Sequence, residues 1–111
     1  MARTADIATE LAAPSIEEAA LQRAASIFHT LSHPCRLRLL VTLAGGQVCD
    51  VNTLVDLCGR PQPYVSQQLA VLRQAGLVTG DPKGQRVCYR LATWQVEAIL
   101  YAVGVLPPGL L

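Results

Sequence analysis

The sequence predicts a mainly α fold of five helices with one small β-hairpin. Three observations carry that prediction. Apolar residues recur at helical spacing through most of the chain, in blocks cut by Pro and Gly. Residues 85–91 instead alternate, with Val87, Tyr89 and Leu91 on one face and Arg86, Cys88 and Arg90 on the other. Between these regimes lies Gln62–Val78, where Val65, Leu69 and Leu72 form a buried stripe beneath a polar face of amides, a hydroxyl, a tyrosine and an arginine.

Residues 1–14 are small and mixed in polarity, and read as a flexible N-terminal arm. The domain is expected to span 15–106, with 107–111 as a C-terminal tail. Ser15-Ile16-Glu17-Glu18 has the form of a capping box, in which the serine accepts from an amide and Glu18 reaches back. A first helix should follow to about Leu31. Ser32-His33-Pro34 breaks it, and Pro34 suits the first turn of a second helix carrying Leu37, Leu40, Val41 and Leu43. Gly45-Gly46 stops that helix. Asp50 is a good N-cap for a short third helix, Val51 to Cys58. Gly59-Arg60-Pro61 turns the chain into a fourth helix, about Gln62 to Ala75, which Gly76 ends. Leu77–Thr79 and Gln85–Leu91 read as strands joined by a Gly80–Gly84 turn. Thr93 then caps a final helix with Trp94, Val96, Ile99, Leu100 and Val103, ended by Pro107-Pro108. The order is helix, helix, helix-turn-helix, hairpin, helix, which defines a winged helix-turn-helix.

Net charge is only +1 over 111 residues, but its distribution is uneven. Residues 1–20 set Arg3 against Asp6, Glu10, Glu17 and Glu18. Residues 57–91 set Arg60, Arg73, Lys83, Arg86 and Arg90 against Asp81, and no carboxylate lies between Gly59 and Gly80. Cations concentrated on the polar-faced unit form the footprint that a polyanion such as double-stranded DNA needs, although a solvated basic face has the same signature. Amides at exposed helical positions are the groups that read base edges. Four cysteines without a dense framework point to reduced thiols and a cytoplasmic setting. No apolar run reaches membrane length, and no basic segment leads into an apolar core at the N-terminus. An enzyme is not expected, since no glycine-rich phosphate loop, Ser/His/Asp constellation or paired carboxylates in an apolar setting occur.

Three blocks in order resemble the ArsR/SmtB family of winged helix-turn-helix repressors. The first is Leu31–Leu40, similar to Leu-x-x-Pro-x-Arg-Leu-x-Ile-Leu. The second is Gln62–Leu69 followed by Leu72-Arg73-Gln74-Ala75-Gly76-Leu77-Val78, and the third is the wing-like Gly84–Leu91. The resemblance implies a homodimer built from the first and last helices, bound to an operator of two-fold symmetry. It implies repression relieved by a metal ion, metalloid or thiol-reactive inducer. DNA contacts carried over to this chain are Gln62, Tyr64, Ser66 and Gln67, with Lys83 and Arg86 on the wing. Arg60 adds a phosphate contact by its charge, while Arg73 also fits a surface stem over apolar neighbours. Leu21, Ile27, Trp94, Ile99, Leu100 and Tyr101 supply more apolar surface than a 111-residue monomer readily covers, which independently favours a dimer.

Sensing would fall to the cysteines. Arsenite-type members carry Cys-x-Cys-Asp-Leu where this chain has Gln47-Val48-Cys49-Asp50-Val51, so one of the two thiols is present. A thiophilic ion such as As(III), Cd(II) or Pb(II) takes three or four ligands, so Cys49 would have to recruit others. The zinc-type site of the last helix is missing, because that helix has no His, no Asp and only Glu97. Cys49 is the leading sensor candidate, with Cys35 as its partner and Cys58 in reserve. Cys35 and Cys49 stand at helix starts, where exposed amides stabilise a thiolate. Each also reads as an ordinary half-buried small residue. Cys58 reads as core packing, and Cys88 on the wing strand as structural. Cys35 and Cys58 could form a dithiol switch if the second and third helices bring them together. His29 and His33 read as interfacial or capping. No resident cofactor is expected; As(III), another soft metal ion or a reactive sulfur or oxidant species is the expected inducer class. The alternatives are a constitutive DNA-binding regulator without a metal site, and a winged-helix protein-interaction module.

Overall fold

The computed structural model describes residues 16–106. The expected arm 1–14, the tail 107–111 and the Ser15 half of the capping box lie outside the described residues. Five helices and three strands follow in the order α1 (Glu18–Leu31), α2 (Pro34–Thr42), β1 (Cys49–Asp50), α3 (Val51–Cys58), α4 (Gln62–Gln74), β2 (Val78–Lys83), β3 (Arg86–Leu91) and α5 (Trp94–Ala102).

The breakers act largely where the sequence placed them. The α1 N-cap is Glu17, without a side-chain bond, so the helix begins later than the capping box proposed. At its far end the Ser32 hydroxyl donates to the His29 carbonyl at 2.6 Å, and Pro34 opens α2. Asp50 caps α3 by accepting from the Thr53 amide at 2.9 Å. Gly59 closes that helix in the left-handed region at φ 66°, a conformation that costs a glycine little. Gly104, at φ 85°, ends α5 before the prolines are reached, with the Val105 amide reaching back to Leu100 at 3.0 Å.

Two features of the sheet differ from expectation. The turn is not Gly80–Gly84: β2 runs on to Lys83, pairing Lys83 with Arg86, so only Gly84-Gln85 connect the strands. The strand order β1-β3-β2 leaves β2 at the edge, where Pro82 removes no obligatory ladder donor. Gly80 is a packing glycine, since a Cβ there would sit 3.0 Å from the Tyr89 ring and 3.2 Å from Val87. The second difference is β1, which the sequence did not suggest. Cys49 pairs with Tyr89 and Asp50 with Cys88.

One core joins the elements. Leu39, Leu40 and Leu43 of α2 and its end, Leu54 of α3, Val65, Leu69 and Leu72 of α4, and Leu100 of α5 are fully buried. Leu39, absent from the expected α2 stripe, is buried because α2 packs against α1, α3, α4 and α5, so more than one of its faces is covered. Leu37 and Val41 are only half-buried. Leu100 likewise belongs to the core rather than to exposed surface. The apolar side chains left exposed on α1 and α5 and their flanks are Ile16, Leu21, Phe28, Trp94, Tyr101, Val103 and Val105.

Candidate nucleic-acid interface

Because Val65, Leu69 and Leu72 are buried at helical spacing, α4 must present its remaining faces outward. Gln62 and Gln67 are exposed, and Tyr64 and Ser66 half-exposed. The Gln62 amide donates to the Ser66 hydroxyl at 2.7 Å, which holds both side chains on the first turn. The Arg60 guanidinium lies 4.5 Å from the Tyr64 ring centroid, a cation–π distance that orients both groups.

One functional contact was not anticipated. Arg36 donates through Nε to the Gln68 side-chain oxygen at 2.8 Å and through Nη1 to the Thr30 carbonyl at 3.3 Å. It therefore ties α4 to the C-terminal turn of α1. Gln68 is a positioning group here, which distinguishes it from the neighbouring Gln67. The arginine within Leu31–Leu40 was the available signal, but its partner lies 32 residues away.

The wing brings cations beside the same unit. Lys83 is exposed at the tip, and it makes no ion pair among the described residues. Arg90 pairs with Asp81 at 3.0 Å, so these two exposed wing charges offset each other and leave Lys83 and Arg86 as the remaining wing cations. Arg86 contacts Asp50 at 3.2 Å, with its own side chain 73% exposed. Bonds from Thr53 and Arg86 hold the Asp50 carboxyl below its usual range, so it is ionised at neutral pH. Exposed pairs of this kind are weak, so Arg86 is held near the third helix without being locked there.

All four thiols are free and half-buried. They fall into two neighbourhoods. Cys35, in the first turn of α2, and Cys58, the last residue of α3, line one cleft with Pro34, Arg38 and Arg60. Burial pushes the Cys58 thiol up, and Cys35 nearby adds to the shift. Cys49 lies elsewhere, near Cys88. Burial raises its thiol too, with Asp50 and Cys88 contributing. The thiolate stabilisation expected for Cys49 at a helix start is thus reversed: the residue lies outside the cap, in β1, and Asp50 occupies the helix terminus. Cys35 is grouped with Cys58, the pair considered for a dithiol switch, and not with Cys49, its expected partner in sensing. Among the described residues no three His, Cys, Asp or Glu side chains gather as a metal site. His29 and His33 stack edge to face with ring centroids 6.2 Å apart.

No helix among the described residues is long and apolar enough to cross a membrane. Residues 33–79 match the family model described as "Bacterial regulatory protein, arsR family". The chain is 41% identical over 80 residues to the transcriptional repressor SmtB of Mycobacterium tuberculosis, covering 72% of this chain and 58% of that protein's length. It is 37% identical over 96 residues to a biofilm growth-associated repressor of Agrobacterium fabrum, covering 85% of this chain and 79% of the relative. A solved homodimeric winged helix-turn-helix DNA-binding domain from Mycobacterium bovis superposes with a TM-score of 0.74 at 28% identity, covering 82% of this chain and 83% of that one. These relatives are transcriptional regulators, a non-enzymatic class, in line with the sequence reading. The chain belongs to the ArsR family of winged helix-turn-helix regulators.

Proposed function

We propose that the protein is a sequence-specific transcriptional repressor of the cytoplasm, bound as a homodimer to double-stranded operator DNA of two-fold symmetry and released by a thiol-binding inducer. The observation that carries DNA reading is the outer face of α4. It presents Gln62, Tyr64, Ser66 and Gln67 over a fully buried stripe, with Arg60, Lys83 and Arg86 on the turn and wing around it. An amide pairs bidentately with adenine, and the cations neutralise flanking phosphates. The repressors among its relatives support the same reading.

Gln62→Ala and Gln67→Ala are each expected to cost about 1–3 kcal/mol of operator affinity and to relax base preference. Competition binding with single-base operator variants checks this. Equal binding of the wild type to random DNA and to its upstream DNA would reject sequence-specific regulation. The dimer is tested by sedimentation at micromolar concentration. Exposed Leu21 and Phe28 on α1, with Trp94 and Tyr101 on α5, are the surface it should cover. A species of twice 11.9 kDa is expected, and a monomer alone would refute it.

Cys49, Cys35 and Cys58 are the sensing candidates. No group of three ligands forms among the described residues, which favours an inducer that needs two thiols over As(III) held by three within one chain. A constitutive regulator without a metal site is the second reading, and the same observation favours it.

A further inference from the structure

Two arginines from different elements converge on one cleft. Arg38 of α2 and Arg60 of the α3–α4 turn line a space of about 270 Å³. Its other walls are Pro34, Cys35 and Cys58, so no carboxylate faces either guanidinium across it. Neither arginine makes an ion pair among the described residues, whereas Arg23, Arg86 and Arg90 each do. Both side chains are exposed, and Arg38 has no part in the outer face of α4. Two like charges in one cleft repel each other, and their summed field favours an anion there.

We infer that Arg38 and Arg60 clamp one phosphate group, and that this phosphate belongs to the DNA backbone beside the N-terminal end of α4. The donor chemistry matches, because a guanidinium presents a planar fork of N–H groups that fits phosphate oxygens. Arg60 is held over the Tyr64 ring at 4.5 Å. That contact uses the face of the guanidinium and leaves its in-plane donors available. A backbone phosphodiester carries a pair of non-bridging oxygens, one for each arginine. Arg38 therefore joins Arg60 on the same phosphate, and the number of phosphates contacted does not rise.

Position favours a backbone phosphate over a soluble one. The wing cation Arg86 contacts Asp50, the N-cap of α3, while the cleft lies at Cys58, the last residue of the same helix. A helix of 8 residues is roughly 12 Å long, close to the major-groove width of about 12 Å. The wing and the clamp thus stand about a groove width apart, at opposite ends of α3, as two banks of phosphates do. This placement rests on the repressor reading; the phosphate site itself does not.

The test is phosphate-ethylation interference on the chain's upstream DNA, with the full-length wild type, Arg38→Ala and Arg60→Ala. Arg38 is exposed on a helix, where alanine is well tolerated, so its variant should fold. In each half-site the wild type should be blocked by ethylation of a phosphate to which both variants are indifferent. Arg38→Ala should lower affinity roughly tenfold or more by losing charge-assisted hydrogen bonds. Arg38→Lys should recover only part of that, since an ammonium is a point charge without the fork. If Arg38→Ala keeps the wild-type interference pattern, or the two alanine variants lose different phosphates, the placement on DNA is overturned. In the second arm, inorganic phosphate is titrated into the DNA-free chain at constant ionic strength, and the arginine Nε–H signals are followed by NMR. Saturable binding that Arg38→Ala abolishes, with interference unchanged, assigns the cleft to soluble phosphate; neither effect overturns the site altogether. If the wild type fails to bind upstream DNA, the repressor reading fails, and the second arm alone decides the phosphate site.

Discussion

Operator affinity is expected to fall by about a thousandfold when salt is raised from roughly 50 to 200 mM, because about six phosphate contacts per dimer release condensed counterions. The six are Arg60, Lys83 and Arg86 in each subunit. The slope of log affinity against log salt should be about −5. Replacing Lys83 with Ala should flatten it by about 2 per dimer and weaken all sequences equally, since a phosphate contact carries no sequence information. Gln62→Ala should leave the slope unchanged, because an uncharged amide displaces no counterion. Arg86→Ala should weaken binding less than Lys83→Ala does. Arg86 must leave Asp50, 3.2 Å away, to reach a phosphate, whereas Lys83 gives up no such pair. Fluorescence anisotropy over a salt series measures all three. A slope near zero would refute an electrostatic DNA interface.

Leu69→Ala should destabilise the fold by about 2–5 kcal/mol, the cost of removing buried methyl groups and leaving a cavity. Leu69 is fully buried between the helices, in the same cluster as Leu39, Leu54 and Leu72. A domain of this size is typically stable by only about 5–15 kcal/mol, so the variant should unfold at much lower urea. Gln67→Ala, two residues away and exposed, should change stability by no more than about 0.5 kcal/mol. The contrast separates packing from reading on one helix. Urea titrations must share one protein concentration, since a dimer's stability depends on it. Equal midpoints for the two variants would show that α4 does not pack as described.

The local chemistry of the chain determined most of its elements. Pro34 at a helix start, Asp50 as a cap and Gly59 as a left-handed stop each act through neighbours a few residues away, so their effects can be read along the sequence. The α4 stripe is similar, because Val65, Leu69 and Leu72 share a face by helical geometry alone. Tertiary structure decided what depends on distant partners. β1 forms because Cys49 and Asp50 meet β3, some 40 residues on, and no two-residue strand has a pattern of its own. Gly80 and Pro82 read as turn residues until the edge position of β2 and the ring of Tyr89 give them another role. Leu39 and Leu100 became core because neighbouring elements cover a second face that periodicity does not reveal. The thiols show the same division. Sequence located four cysteines and ranked Cys49 by its place beside Asp50. The sequence left Cys35 open to partner Cys49 or Cys58, and packing decided for Cys58, because the α2–α3 arrangement brings Cys35 and Cys58 to one cleft with Arg38 and Arg60.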